Sequence, residues 1–287
     1  MNILELNNVT VTLKNFSLRN ITFNLQRGTI TGLIGANGSG KTTLIRTIMN
    51  LYRHETGSIR LNGLDNIRDA KWFKDKIGFV YDESYFIENL TIERNKNVIR
   101  PFYSKWDERL FSTLLEKFAL DRGKKVKHLS KGMKTKFSLA VALSHHADLL
   151  LMDEPTSGLD PVFRVELLEF IAQYVQDHPH MTVLFSTHIT ADLDRIANHI
   201  VYMRKGKIRL QMPKNDLFDR CTVIRGPRHA IDRLDGLNPI GLRQTGDTFE
   251  CLVMEPLSAE FGDLEYIRYP RLRLEDIMFY LEREKAE

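Results

Sequence analysis

Residue type and spacing imply chemistry most plainly in Gly35-Ala-Asn-Gly-Ser-Gly-Lys-Thr-Thr43. The stretch fits a glycine, four free positions, then Gly-Lys-Ser/Thr, a pattern that cradles phosphates when a strand precedes it and a helix follows. Gly35, Gly38 and Gly40 let the backbone bend and turn its N–H groups onto phosphate oxygens. The helix that begins at the end of the loop adds its partial positive charge. Lys41 reaches the β- and γ-phosphates of a nucleotide, and the Thr42 hydroxyl can ligate Mg²⁺. A second run, Leu149-Leu-Leu-Met-Asp153-Glu154, is apolar and ends in two acids. The first acid suits a magnesium shell, and the second can polarise an attacking water. A third run, Gly78-Phe-Val-Tyr-Asp82-Glu83, also opens from an apolar strand into acids, with Tyr81, Tyr85 and Phe86 around them. Alone, those acids could hold a metal or simply be solvated loop.

These groups need a scaffold. Residues 3–13 and 21–25 alternate like strands, 29–34 is a short buried strand, and 42–52 has a helix pattern. Gly57–Gly63 reads as a hairpin piece. Residues 91–120 are largely helical, with Ser104 and Asp107 in capping-box register. Trp106, Leu110, Phe111, Leu114, Leu115 and Phe118 form one apolar stripe, read as core. A further helix runs over 130–145. Strands at 149–152 and 182–186 alternate with helices at 162–175 and 190–197, and a hairpin follows about Lys205-Gly206. Buried apolar strands alternating with helices imply a mostly parallel α/β sheet. Pro213 marks a change to a small α+β appendix with a hairpin about Gly246-Asp247 and a final helix.

With 43% hydrophobic and 27% charged residues the chain reads as globular. It contains no apolar run of about 18 residues or more, so it is not expected to span a membrane. The start, MNILELNNVTVTL, lacks a signal-peptide pattern, and a cytoplasmic location is expected. A net charge of +4 falls short of a nucleic-acid footprint. The local cluster RGKKVKHLSKGMKTK, read alone, is as readily a solvated face as a binding segment. Cys221 and Cys251 have no metal or redox spacing and are expected to be reduced and structural.

The order of these features resembles the ATPase subunit of ATP-binding-cassette (ABC) transporters. Leu129-Ser-Lys-Gly-Met133 precedes Asp153-Glu154, Ser157-Gly-Leu-Asp160 follows, and His188 ends the next strand. The likeness covers residues 1–211. It implies a P-loop NTPase fold of the ABC type: a mostly parallel sheet, an antiparallel N-terminal β subdomain and a helical subdomain over about 84–145. Residues 212–287 form an accessory domain with no assignable chemistry. VYDESYF, LSKGMKTKFSLAVALSHH and the ending LEDIM resemble ATPases of Gram-positive drug and peptide exporters, and a phenol-soluble-modulin-type toxin exporter is one candidate.

The resemblance implies roles. Gly35, Asn37, Gly38, Ser39, Gly40, Lys41, Thr42 and Thr43 hold ATP. Asp153 orients Mg²⁺, Glu154 is the general base, and His188 bonds the γ-phosphate and helps place the water. A second ATPase subunit, identical or not, faces the first, so that Ser130 and Gly132 close over its nucleotide and Asp160 links the two sites. A separate integral-membrane subunit is expected at the cytoplasmic face of the membrane, and no nucleic-acid partner. The rival reading, an ABC ATPase acting on ribosomes or nucleic acid, is disfavoured by the single phosphate loop and the absence of sustained heptads.

The chain departs from the family in three places. In LSKGM, Lys131 and Met133 replace a glycine and the glutamine of LSGGQ. The place of the base-stacking aromatic falls on Leu13, with Phe16 the nearest aromatic substitute. Such stacking is worth roughly 1–3 kcal/mol in nucleic-acid sites. Asp82 takes the place of the glutamine that ends the family's switch strand; register favours it for the metal, through a water because it is one methylene shorter, while the longer Glu83 could reach the metal instead. We therefore expect Asp82→Asn to alter the Mg²⁺ dependence of ATP hydrolysis and Glu83→Gln to leave it unchanged. If neither variant changes it, both acids serve coupling or solvation.

Overall fold

The computed structural model describes residues 1–81, 85–234, 236–254 and 264–283. Asp82 and Glu83 lie outside the described residues. In chain order come β1 (Asn2–Leu13), β2 (Phe16–Gln26), β3 (Ile30–Ile34), α1 (Lys41–Ile48), β4 (Thr56–Leu61), β5 (Leu64–Asp65), α2 (Ala70–Asp75) and β6 (Ile77–Tyr81). Three helices follow: α3 (Ile92–Ile99), α4 (Glu108–Lys117) and α5 (Lys131–Leu143). Next come β7 (Leu149–Asp153), α6 (Pro161–Asp177), β8 (Thr182–Thr187), α7 (Thr190–Ile196), β9 (His199–Arg204) and β10 (Lys207–Pro213). The last part holds α8 (Lys214–Arg220), β11 (Thr222–Pro227), β12 (Ile240–Thr245), β13 (Thr248–Val253), β14 (Glu265–Ile267) and α9 (Leu274–Leu281).

The central sheet has strand order β10-β9-β3-β8-β7-β6 and is parallel except at β10. Every residue of β3, β7 and β8 is buried. Covered faces on both sides explain why these strands read as unbroken apolar runs. An antiparallel sheet, β2-β1-β4-β5, packs on one face, and Leu6, Phe23 and Ile59 there share a core with Leu44 and Ile45 of α1 and with Leu151 of β7. The helical subdomain lies in the second core, where Phe111, Leu114 and Leu115 of α4 join Phe137 of α5. The apolar stripe of α4 is therefore core, as expected. Parallel register sets Asp153 opposite Ser186 and Ile34 opposite Thr187, so β3, β7 and β8 end together. Ligands of open α/β sheets bind outside such carboxyl ends.

Several local expectations change. Ser104 does not form a capping box with Asp107. Asp107 itself caps α4, accepting from the Arg109 and Leu110 N–H groups at 2.9 Å each. Ser104 instead bonds Asp75 through its backbone N–H (2.7 Å) and its hydroxyl (2.6 Å). Aspartate is as strong an N-cap as serine, and here it is the one adjoining the first helical turn. Helix α1 ends earlier than its pattern implied, and Asn50 just beyond it takes φ 54°. Phe86 is buried with its ring 4.1 Å from that of Phe137, whereas Tyr85 stays exposed. The change expected at Pro213 falls where β10 ends, and the third sheet, β12-β13-β11-β14, lies beyond it. One hydrophobic cluster nevertheless runs across that point, joining Leu217, Val223, Leu252 and Ile277 to the helical and central cores. Cys221 and Cys251 are free and buried, and burial pushes both thiols up to about 12.

The turn between β9 and β10 ties the antiparallel sheet to the phosphate loop. The Gly206 N–H donates to Ser39 O at 2.9 Å, and Gly206 O accepts the Arg19 N–H at 2.9 Å. Gly206 has φ 74°, and a Cβ there would lie 2.0 Å from Ser17 O. Alanine at 206 is expected to cost about 2 kcal/mol or more by strain and displacement. Urea unfolding with the midpoint lowered at unchanged slope would register that loss.

Candidate active site

Strand β3 runs straight into the loop 35–40, and α1 starts at Lys41. The loop is curled by a bond from the Ser39 N–H to Ala36 O at 3.0 Å. Its first residue has no room for a side chain, because a Cβ on Gly35 would lie 2.1 Å from Met203 O. Asn37, Gly38, Gly40, Lys41, Thr42 and Thr43 line a cleft of about 410 Å³, which Phe16, Glu154, Ser157 and His188 complete. The sequence thus brings together at one cleft the loop, the second acid of β7 and the histidine after β8.

Lys41 is 6% exposed. Its Nζ donates to Gly35 O at 2.8 Å and Ala36 O at 3.4 Å, and lies 3.7 Å from Glu154 Oε1. Burial lowers the affinity of this amine for its proton, while Glu154 and Asp153 act the other way. Glu154 follows the end of β7 with φ 50°, a left-handed conformation costing of order 1–3 kcal/mol. Its N–H donates to Ser186 O at 2.9 Å. The carboxylate is shared: Oε1 faces Lys41, while Oε2 lies 2.8 Å from His188 Nδ1 and 3.3 Å from the His188 backbone N. His188 was expected to meet a phosphate. Here Nδ1 is engaged by Glu154, which leaves Nε2, with no hydrogen bond among the described residues, as the atom free to do so.

Asp153 is buried at the end of β7. Its Oδ1, and the Ser186 hydroxyl, have no hydrogen-bond partner among the described residues. Burial holds the Asp153 carboxyl above the usual range, opposed by the Thr42 and Ser186 side chains. An orphaned carboxylate oxygen beside a threonine hydroxyl fits a hard divalent cation, which takes oxygen ligands and keeps several from water or substrate. No group of three or more His, Cys, Asp or Glu among the described residues could hold a metal. A cation here would depend on Asp153, Thr42 and phosphate oxygens together.

Other candidates stand elsewhere. Ser130 caps α5, accepting from the Met133 N–H at 3.2 Å, and Asp160 caps α6, accepting from the Phe163 N–H at 2.9 Å. Gly132 lies against Phe163, whose ring a Cβ would approach to 3.0 Å. Ser130, Gly132 and Asp160 do not line the cleft of their own phosphate loop. Leu13 is half-buried and pairs with Phe16 across the first hairpin, but only Phe16 lines the cleft, with its ring against Gly40. Tyr81, just before Asp82, accepts a hydrogen bond from Arg46 on α1. Reading the sequence missed Ser157, a cleft-lining residue that the family motif already contained. It also missed Glu282, whose Oε1 accepts the Ala36 N–H at 3.3 Å from 246 residues away.

Comparison with known proteins identifies the family and the fold. A family model described as ABC transporter matches residues 18–157. The chain is 34% identical over 197 residues to the lantibiotic transport ATP-binding protein SrtF of Streptococcus pyogenes, covering 68% of this chain and 83% of that one. It is 30% identical over 273 residues to the Nod factor export ATP-binding protein I of Cupriavidus pinatubonensis, covering 90% and 83%. A solved structure of an ATP-binding subunit of an ABC transporter superposes with TM-score 0.68 at 27% identity, covering 75% of this chain and 91% of that one.

The raised pKa of Asp153 has a thermodynamic consequence. A carboxyl with a folded-state value above its unfolded one destabilises the fold at every pH above the folded value, and the penalty fades as pH falls toward the unfolded one. At pH 8 without nucleotide, Asp153→Asn is expected to raise the melting temperature by about 2–4 °C, the equivalent of ~1 kcal/mol. The gain should shrink on acidification, and scanning calorimetry across pH checks it.

Proposed function

The chain belongs to the ABC transporter family, and from that premise we propose that it is the Mg²⁺-dependent ATPase subunit of an exporter, driving a separate membrane-spanning subunit. The observation that carries the reading is Glu154, held between Lys41 and His188 in the cleft of the phosphate loop. Backbone N–H groups of the loop and the Lys41 ammonium bind the triphosphate. Phe16 is the cleft's aromatic and the residue positioned to meet the base. Glu154 accepts the proton of the attacking water, and its bond to His188 fixes the carboxylate while leaving Nε2 for the γ-phosphate. When bound, Mg²⁺ would be held by Thr42 and Asp153 and would offset phosphate charge.

Ser130, Gly132 and Asp160 lie away from their own cleft, and this supports a dimer in which they serve the partner's. Lys131 and Lys134 beside them then favour an anion. Among the described residues no helix is long and apolar enough to cross a membrane, and the transport named for the relatives supports a separate membrane-spanning subunit as the partner. Exposed Tyr85 is a contact for it, and the work is done at the cytoplasmic face. One relative is named for Nod factor export, which favours export, and another for lantibiotic transport, which favours a peptide, toxin or drug as the cargo. A net charge of +4 gives no support to nucleic acid as the partner.

Glu154→Gln is expected to bind ATP, to lose about 10²–10⁴-fold in hydrolysis rate, and to accumulate as an ATP-bound dimer. Light scattering with a phosphate-release assay checks both. Hydrolysis at the unmutated rate removes Glu154 as the base. Copurification with an integral-membrane protein from the native cells checks the transport half.

A further inference from the structure

The last helix of the accessory domain ends on the phosphate loop. One face of α9 is built into the main core through Leu274, Ile277, Met278 and Leu281. That packing holds Glu282, the residue capping its C-terminus, against the loop entrance. Glu282 Oε1 accepts the Ala36 N–H at 3.3 Å. Its Oε2 lies 3.7 Å from Arg204 Nε, and its own backbone carbonyl accepts from Arg204 Nη2 at 2.8 Å. Arg204 ends β9, immediately before the turn whose Gly206 N–H holds Ser39 O. The loop is therefore fastened near both ends: by Gly206 at Ser39 and by Glu282 at Ala36.

The second fastening has a consequence through covalent geometry. The Ala36 N–H and the Gly35 C=O belong to one planar trans peptide and point in opposite directions. Glu282 takes the N–H side of that plane, and the Lys41 ammonium takes the C=O side at 2.8 Å. Fixing one edge fixes the other, and a carboxylate on the N–H makes the carbonyl a better acceptor. We propose that Glu282 is a positioning residue for ATP binding, through which the accessory domain sets the orientation of the Gly35–Ala36 peptide and hence of Lys41. Facing the same contact are Arg204 from β9, which offsets the carboxylate charge, and Arg283 beside it. The inference rests on the reading of the cleft as an ATP site.

The test uses the full chain and a non-hydrolysable ATP analogue. Glu282→Ala is expected to weaken binding about three- to tenfold, the size of one lost hydrogen bond. Glu282→Gln keeps an acceptor for the Ala36 N–H and should recover most of that affinity. Glu275→Ala, on the same helix without that contact, should bind as the parent does. The amide resonance of Ala36 should move in Glu282→Ala and stay near its position in Glu282→Gln. The proposal is overturned if Glu282→Ala binds as tightly as the parent or tighter, or if Glu282→Gln loses as much as Glu282→Ala. If Glu282→Ala does not fold, the Glu282→Gln arm decides: tenfold weaker binding with an unchanged melting temperature sinks the idea. A parent chain that binds no analogue overturns the ATP reading itself, a separate outcome.

Discussion

A lysine ammonium almost sealed from water is the constraint around which this site is arranged. Burying such a charge costs several kcal/mol unless it is paired and hydrogen-bonded. Lys41 finds both kinds of partner: two carbonyls of its own loop and the Glu154 carboxylate. The carbonyls require the loop to fold back on itself, which Gly35 permits by lacking a Cβ where Met203 O approaches. The carboxylate requires β7 to end beside β3 with one further residue turned inward, which the positive φ of Glu154 provides. The sheet order places only β8 between those two strands. β8 supplies Ser186 beneath the acids and leads directly to His188. The charges of the cleft are thus a consequence of strand order as much as of residue identity.

The same arithmetic leaves buried polar groups of the site unpaired. Asp153 is buried beside a second acid, and burial raises its pKa. Its Oδ1 and the Ser186 hydroxyl lack hydrogen-bond partners among the described residues. Orphaned buried groups are rare in proteins and concentrate where function requires them. A triphosphate with its metal would satisfy both the loop N–H groups and the Asp153 oxygen, and part of its binding energy would offset the strain at Glu154.

Much of this was legible because the chemistry sits in contiguous stretches. GANGSGKTT, the Asp153-Glu154 strand end and the unbroken apolar runs each carry their own context, so loop, strand and helix could be placed from local pattern. What escaped was decided by distant partners. Ser104 looked like a cap until Asp75, from another element, proved to bind it. Phe86 stood in the sequence only as an aromatic beside two acids, and Phe137, from a helix some fifty residues away, is what covers it. The accessory part read as separate because Pro213 breaks the pattern, yet Val223, Leu252 and Ile277 extend one continuous core across that break. Helix α9 has no motif, and no spacing rule links Glu282 to Ala36. Burial of one face of the helix creates that contact, and single-sequence periodicity does not say against what a face is buried.

Ser130 and Asp160 have a place in the fold, and the proposed dimer would use the same two residues. Each caps a helix through a single backbone N–H. A helix start leaves four such donors unpaired, so one cap removes only part of its attraction for an anion. At α5 the adjoining Lys131 and Gly132 N–H groups remain in the first turn, outside the i to i−4 ladder, and the residues there carry no acid. Replacing the family's glycine by Lys131 adds positive charge at that end. The side chain itself lies along Gly158, 3.3 Å from where a Cβ would be. The departure from LSGGQ therefore joins the N-terminal end of α5 to the Ser157–Asp160 segment of the same chain. These are the two segments that a dimer of this family would present together to the opposite nucleotide.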